Sequence, residues 1–154
     1  KSTTVNKSTK TCDIILILPT ELTHEIFGSL PLASICNASV VSRRWRHFII
    51  NSKSLWQNLD FTFLRKSNMI TDKVVSTYVN RGKLRIHSFI CHNAVKLTDK
   101  TLNAFRAVPC YHLSTFILTS NRLITDTAII IFIRTIGSQL RIINLSDTLI
   151  SNRA

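Results

Sequence analysis

Cysteine and histidine side chains occur at two places where the sequence could build a zinc site. Cys91 is followed directly by His92, and Cys110 is followed two residues later by His112. Adjacent residues rarely point into one tetrahedral site, and the paired C-x2–4-C spacing of structural zinc sites is missing. None of the four cysteines belongs to a CxxC pair. We therefore expect no metal and reduced thiols rather than a disulfide framework, with buried structural cysteines favoured over zinc ligands.

Residues that could support catalysis are scattered along the chain. Only three glycines are present, so there is no glycine-rich loop to hold a phosphate. Serine, histidine and acidic residues form no recognisable nucleophile motif. The sequence therefore predicts a non-catalytic protein without a cofactor.

Composition and charge narrow the class of protein. The chain has 154 residues, of which 45% are hydrophobic, and its mean hydropathy is +0.17, values typical of one or two globular domains. No apolar run approaches the length of a membrane span, and the first such run is too short for a signal-peptide core. We expect no membrane association and a cytoplasmic or nuclear location. The sequence does not begin with methionine, which is consistent with a fragment.

The formal net charge of +12 is unevenly distributed. Residues 1–60 contain seven Lys or Arg against four acids, whereas residues 61–154 contain thirteen against four. This excess predicts attraction to acidic or phosphorylated partners, weakened by salt. A nucleic-acid-binding protein is the alternative. It is disfavoured because no basic run exceeds Arg43-Arg44-x-Arg46 and aromatic residues do not alternate with basic ones.

The region Leu18–Arg46 reads as three short amphipathic helices. Leu22, Ile26 and Leu30 recur every four residues, and Pro31 ends this first helix. A unit of about 40 residues is too small to bury so many large apolar groups, so part of its apolar surface is predicted to bind another protein.

This region resembles the F-box motif over residues 15–57. The matching residues are Leu18-Pro19-x-Glu21-Leu22-x-x-x-Ile26-Phe27-x-x-Leu30-Pro31-Leu32, Val41-Ser42-Arg43-Arg44-Trp45-Arg46 and Leu55-Trp56. The resemblance implies a three-helix module that docks on the Skp adaptor of a cullin–RING ubiquitin ligase. It also implies that Phe27 and Ile49 hold the helices together. The residues that it implies either face the adaptor or support the interface are Leu18, Pro19, Leu22, Ile26, Leu30, Leu32, Val41 and Trp45.

The rest of the chain repeats with a period of 27–29 residues. A strand-like pattern recurs in Trp56-x-x-Leu59-x-Phe61, Leu84-x-x-His87-x-Phe89, Leu113-x-x-Phe116-x-Leu118 and Leu140-x-x-Ile143-x-Leu145. The first three are followed by Ile70-Thr71-Asp72, Leu97-Thr98-Asp99 and Ile124-Thr125-Asp126, where the Thr-Asp pair could cap a new helix. Helices are therefore expected over Val74–Val79, Leu102–Val108 and Ala128–Ile136.

This period resembles the leucine-rich repeats that follow an F-box in the F-box/LRR family. His87 departs from the pattern by occupying a core leucine position, where we expect a satisfied core histidine, and Asn121 alone fills the position that hydrogen-bonds the turn. The implied fold is an α/β repeat: an N-terminal three-helix F-box followed by a short leucine-rich-repeat solenoid. The expected divisions are a basic flexible tail over 1–14, the F-box over 15–55, and about three to four repeats over 56–154, incomplete at the C-terminal end.

In such a strand the intervening residues face the open concave surface. They are Asn58, Asp60, Arg85, Ser88, Ser114, Thr115, Ile117, Thr119, Arg141, Asn144 and Ser146. The resemblance implies a substrate-recognition subunit of an SCF-type ubiquitin ligase, in which the repeats bind the target protein. Two alternatives remain: an adaptor-binding assembly module without a ubiquitylation client, and a basic nucleic-acid-binding repeat protein.

Overall fold

A computed structural model describes residues 13–64 and 69–149. The predicted basic tail lies outside these residues, except for Asp13 and Ile14. The helices are α1 (Ile14–Ile17), α2 (Thr20–Gly28), α3 (Leu32–Ala38), α4 (Arg43–Asn51), α5 (Asp72–Gly82), α6 (Asp99–Ala107) and α7 (Asp126–Ile136). The strands are β1 (Asn58–Asp60), β2 (Ser88–His92), β3 (Thr115–Thr119) and β4 (Ile142–Asn144), and short 3-10 turns cover Lys53–Trp56, Lys83–Arg85 and Gly137–Gln139.

The first four helices form a small helical unit at residues 13–51. The Asp13 carboxylate caps α1 by accepting from the Ile15 amide at 3.2 Å, and the Ser42 hydroxyl caps α4 by accepting from the Trp45 amide at 3.1 Å. The sequence predicted three helices here, and α1 is an additional one. It is only four residues long, too short to show a helical period.

Aromatic packing holds α2 and α4 together. The Phe27 ring lies 5.2 Å from Trp45 and 5.5 Å from Phe48, measured between ring centroids. Phe27 and Ile49 are almost fully buried, as expected for residues that join the helices. The indole N–H of Trp56 donates to the backbone carbonyl of Ile49 at 3.1 Å, which fixes the 3-10 turn after α4 against this core.

The remainder of the described chain is built on a parallel sheet. Within the described residues four strands pair in chain order, β1-β2-β3-β4, and the helices α5, α6 and α7 pack side by side. The register places Leu59, Phe89, Phe116 and Ile143 in one row across the sheet. The first three are completely buried, so this row begins the core between the sheet and the helices.

This register corrects the sequence alignment of the second repeat. Phe89, not His87, lies in the row of Leu59 and Phe116. The buried residues of that repeat are therefore Ile86, Phe89 and Cys91, two positions later than predicted. The prediction of a core histidine is wrong, because His87 is exposed.

The three predicted helices of the repeats are confirmed as α5, α6 and α7, each beginning at the aspartate of a Thr-Asp pair. The predicted threonine cap is present in α6 and α7, where the Thr98 and Thr125 hydroxyls accept from the backbone amides of Lys100 and Ala128, each at 3.3 Å. Thr71 makes no such bond at the start of α5.

The aspartates of these pairs link one repeat to the next. The Asp72 carboxylate accepts from the Thr98 amide at 2.9 Å, the Thr98 hydroxyl at 2.8 Å and the Thr101 hydroxyl at 2.6 Å. Asp99 accepts from the Thr125 amide and hydroxyl at 2.8 and 2.9 Å. Hydrogen bonds to an ionised group are stronger than neutral ones, so this ladder ties adjacent helix starts together.

Asn121 makes a second link, inside the protein. Its side-chain amide donates to the carbonyls of Ala94 and Leu97 at 2.6 and 3.0 Å, and its oxygen accepts from the amides of Leu123 and Ile124 at 3.0 and 3.2 Å. The predicted turn-bonding role of Asn121 is confirmed, and the bonds also reach back to the preceding repeat.

Candidate binding surfaces

The helical unit exposes several large apolar side chains. Leu22 and Ile26 lie four residues apart on α2, so they share one face of that helix, and they are 47% and 43% exposed. Val41, just before α4, is 64% exposed. Other exposed members are Leu16, Ile17, Val40 and Ile50. Exposure of so many large apolar groups on a unit this small is typical of a protein-binding surface.

The predicted adaptor-binding residues occupy different depths in the fold. Pro19 is exposed, like Leu22, Ile26 and Val41, while Leu18, Leu30 and Trp45 are half-buried. Leu32 is only 4% exposed because it packs into the core of the chain. Of the two predicted roles, facing the adaptor or supporting the interface, its burial is compatible only with the supporting one. The sequence reasoning missed Leu16 and Ile17, which the apolar run at the start of α1 could have indicated.

Asp13 fixes α1 to α4. Its carboxylate accepts from the Trp45 indole N–H at 2.9 Å and forms an ion pair with the Arg44 guanidinium at 3.0 Å. The indole hydrogen bond, followed by the Arg44 interactions, lowers the pKa of Asp13 below its ordinary value. This network fixes the orientation of the half-buried Trp45 side chain.

The outer face of the sheet, opposite the helices, is the second surface. Its central row contains Asp60, Ile90, Ile117 and Asn144, and the neighbouring row contains Asn58, Ser88, Thr115 and Ile142. Thr119 lies beside His92, whose Nδ1 is 2.7 Å from the Thr119 hydroxyl. The face is therefore mixed, with apolar side chains flanked by short polar ones.

Several predicted residues of this face lie elsewhere. Arg85 is in the 3-10 turn before β2, so its placement on the face is wrong, for the same reason as the error at His87. Ser114 and Arg141 come just before β3 and β4, at the edge where each strand begins. Sequence reasoning missed Ile90 and His92, which the corrected register of the second repeat brings onto the face, and Ile142, which pairs with Thr115.

The cysteines that could have suggested zinc are buried thiols. Cys91 and Cys110 pack in the core, and burial raises their pKa values to about 12 and about 11. His92 points instead to Thr119. Across residues 13–64 and 69–149, no group of three or more potential metal ligands is found.

The helical unit and the sheet share a common junction. The Trp56 and Tyr78 rings lie 5.4 Å apart, and the Arg81 guanidinium lies 5.0 Å and 5.2 Å from their respective centroids. The Tyr78 hydroxyl contacts the Cys36 sulfur of α3 at 3.2 Å, and burial together with this contact raises the pKa of Tyr78 to about 12. The two surfaces are therefore held at a fixed relative position by a single continuous core.

Comparisons with known proteins bear on the helical unit. The F-box-like family model matches residues 15–62, from α1 through β1. F-box only protein 48 of Homo sapiens is 46% identical over 41 residues, which make up 27% of this chain and 26% of that protein. The match thus spans about a quarter of the length of that relative. F-box domains usually act as non-catalytic adaptor parts of SCF ubiquitin ligases. No helix of the described chain is long and apolar enough to cross a membrane. Residues 15–62 are an F-box-like domain.

Proposed function

We propose that this chain is a target-binding subunit of an SCF-type ubiquitin ligase. Its F-box-like domain binds the Skp adaptor and, through it, the cullin–RING ligase. The observation that carries this proposal is the exposed apolar surface around Leu22, Ile26 and Val41, which lies within the matched domain. Burial of large apolar side chains is the main favourable term in stable protein association.

We further infer that residues 56–149 form a leucine-rich-repeat array that holds the target. The strand rows and the Asp72 and Asp99 ladder recur at 26–30 residue separations, and Asn121 bonds back across 27 residues to Ala94, which supports a chain of equivalent units. In this proposal the outer sheet face contacts the target protein. The excess of basic residues beyond residue 60 favours an acidic or phosphorylated target.

In the proposed mechanism the chain acts by bringing a target protein close to the ubiquitin-carrying enzyme. The chain itself would make no bond; a charged E2 enzyme brought by the ligase would transfer ubiquitin to a target lysine. Because the Trp56–Tyr78–Arg81 junction joins the two surfaces through one core, a bound target stays at a set distance from the adaptor. A fixed distance raises the effective concentration of target lysines near the E2.

The decisive experiment is capture of a purified Skp adaptor by the full chain. The double variant Leu22→Asp/Ile26→Asp places charges on the exposed α2 face and should abolish capture, because ionised carboxylates would have to be desolvated there. Leu84→Asp/Val95→Asp makes the same change at exposed positions of the repeat region and is the matched control. Unchanged capture by the α2 variant would overturn the proposed interface.

A reconstituted ligase tests the second half of the function. Recovery of the cullin with the adaptor, together with ubiquitylation of a co-purified client, supports a target receptor. Capture of the adaptor without the cullin indicates an assembly module instead. Absence of adaptor capture combined with tight binding to nucleic acid indicates a basic nucleic-acid-binding repeat protein.

A further inference from the structure

We propose that Lys73, Lys96 and Lys100 form a docking site for an acidic segment of a protein partner, one carrying adjacent Asp or Glu carboxylates. The site lies at the edge of the sheet where the strands end, not on the outer sheet face. This inference rests on the proposed function, because the partner would be the target of the ligase. The site lies away from the sheet face that the sequence indicated.

The three lysines line one open cavity of about 660 Å³. Lys73 and Lys100 occupy equivalent positions, each the second residue of its helix, in α5 and α6. Lys96 lies in the loop before α6 and forms an isolated parallel bridge with Thr71, which fixes this loop beside the start of α5. Cations from three separate segments therefore surround the same space.

The described part of the chain gives these three cations no fixed counter-charge. The helix dipole disfavours cations in the first turn, where Lys73 and Lys100 lie. Within the described part of the chain, none of the three lysines forms an ion pair with a carboxylate. Asp72, the acid that lines the cavity, directs both oxygens to Thr98 and Thr101. An anion bound in the cavity would supply the missing counter-charge.

The chemistry of the lysines favours an acidic segment over a single phosphate or a nucleic acid. A lysine ammonium is a mobile point charge, without the fork by which arginine grips one phosphate in two places. The cavity is open, and none of the described residues that line it is aromatic, whereas single-stranded nucleic acids bind by stacking on aromatic rings. Three separated cations around an open cavity fit several carboxylates spread along an extended peptide.

Fluorescence anisotropy with the full chain tests the site. The probe is a labelled peptide of alternating Glu and Asp, compared at low salt with a Gln and Asn peptide of the same length. The triple variant Lys73→Gln/Lys96→Gln/Lys100→Gln should weaken binding of the acidic peptide about tenfold. The matched control Lys53→Gln/Arg106→Gln/Arg134→Gln removes the same charge from other exposed positions and should change it less than about twofold.

The outcomes separate this site from general charge attraction. Replacing the same three lysines with arginine should preserve binding, since the charge is kept. The proposal is overturned by equal binding of the neutral peptide, by equal weakening in the control variant, or by tighter binding of a single-phosphoserine peptide or single-stranded DNA. Because the F-box-like domain is untouched, capture of the Skp adaptor by the triple variant reports on the proposed ligase role independently.

Discussion

Asn121 offers a direct test of how the repeats are held together. Its side chain is completely buried and makes four hydrogen bonds to backbone groups of two successive turns. Each such bond contributes about 1 kcal/mol net, and an orphaned buried partner costs more than that. Replacement by alanine should therefore destabilise the chain by about 4 kcal/mol, a large part of the roughly 5–15 kcal/mol typical of a folded protein.

The same site predicts a particular pH dependence. In Asn121→Asp the carboxylate would face the carbonyl oxygens of Ala94 and Leu97, so burial and repulsion should raise the pKa of the new carboxyl. A folded-state pKa above the unfolded one makes the variant relatively stable below the unfolded value. That stability is lost as the pH rises through the folded value. The aspartate variant should therefore resemble the native protein more closely in mild acid than at neutral pH.

Urea unfolding followed by far-UV circular dichroism measures these effects, with Asn103→Ala as the control. Asn103 is exposed, and within the described chain its side chain bonds to Arg106 alone, so its loss should cost less than about 0.5 kcal/mol. Tryptophan fluorescence reports on the F-box-like domain, where both tryptophans lie. A loss below about 1 kcal/mol in Asn121→Ala would refute the reasoning, because four buried hydrogen bonds could not then be contributing.

Three further predictions concern other parts of the fold. Gly82→Ala should destabilise the chain by about 2 kcal/mol in urea unfolding, since a Cβ there would come within 2.6 Å of a backbone oxygen; Gly28→Ala, with open space around it, is the control. Cys91 and Cys110 should react with a thiol reagent at neutral pH only after denaturation. The raised pKa values of these two thiols also predict that their contribution to the free energy of unfolding is retained below about pH 9 and lost as the pH rises above it. Asp13→Asn should reduce the loss of stability in acid. The lowered pKa of Asp13 stabilises the folded state at pH values above the ordinary pKa of an aspartate, and this stabilisation is lost as the pH falls. Thermal unfolding across a range of pH measures the effect.

The helical unit could be predicted from the sequence because the residues that define each of its helices lie close together along the chain. The spacing of Leu22, Ile26 and Leu30 defines α2, and proline or serine marks the residue before the helices α2, α3 and α4. The exposure of individual apolar side chains could not be predicted in the same way. Leu32 has the same apolar character as Leu22, yet it is buried because α3 turns it toward the common core.

The register of the second repeat could not be predicted from the local sequence pattern. Leu84, His87 and Phe89 satisfy the spacing as well as Ile86, Phe89 and Cys91 do, so the pattern alone fits both. The spacing from the strand pattern to the next Thr-Asp pair is three residues longer in the first repeat (Phe61 to Ile70) than in the second (Cys91 to Leu97), so a constant period counted from Trp56 places the second strand too early. Only pairing with the neighbouring strands decides the register, because a shift changes every cross-strand partner.

Trp56 explains why the two proposed binding surfaces belong to one folded body. It is the last residue of the F-box motif and also the first residue of the strand pattern that the repeats share. Its indole N–H bonds back to α4, while its ring packs on Tyr78 and beneath Arg81 of α5. Domain boundaries usually fall in exposed linkers that few contacts cross, and here the boundary is a side chain only 1% exposed. The F-box-like match also continues through β1 to residue 62. The exposed apolar residues of the helical unit and the sheet therefore belong to one packed core, so under the proposed function a target bound to the sheet would move rigidly with the adaptor.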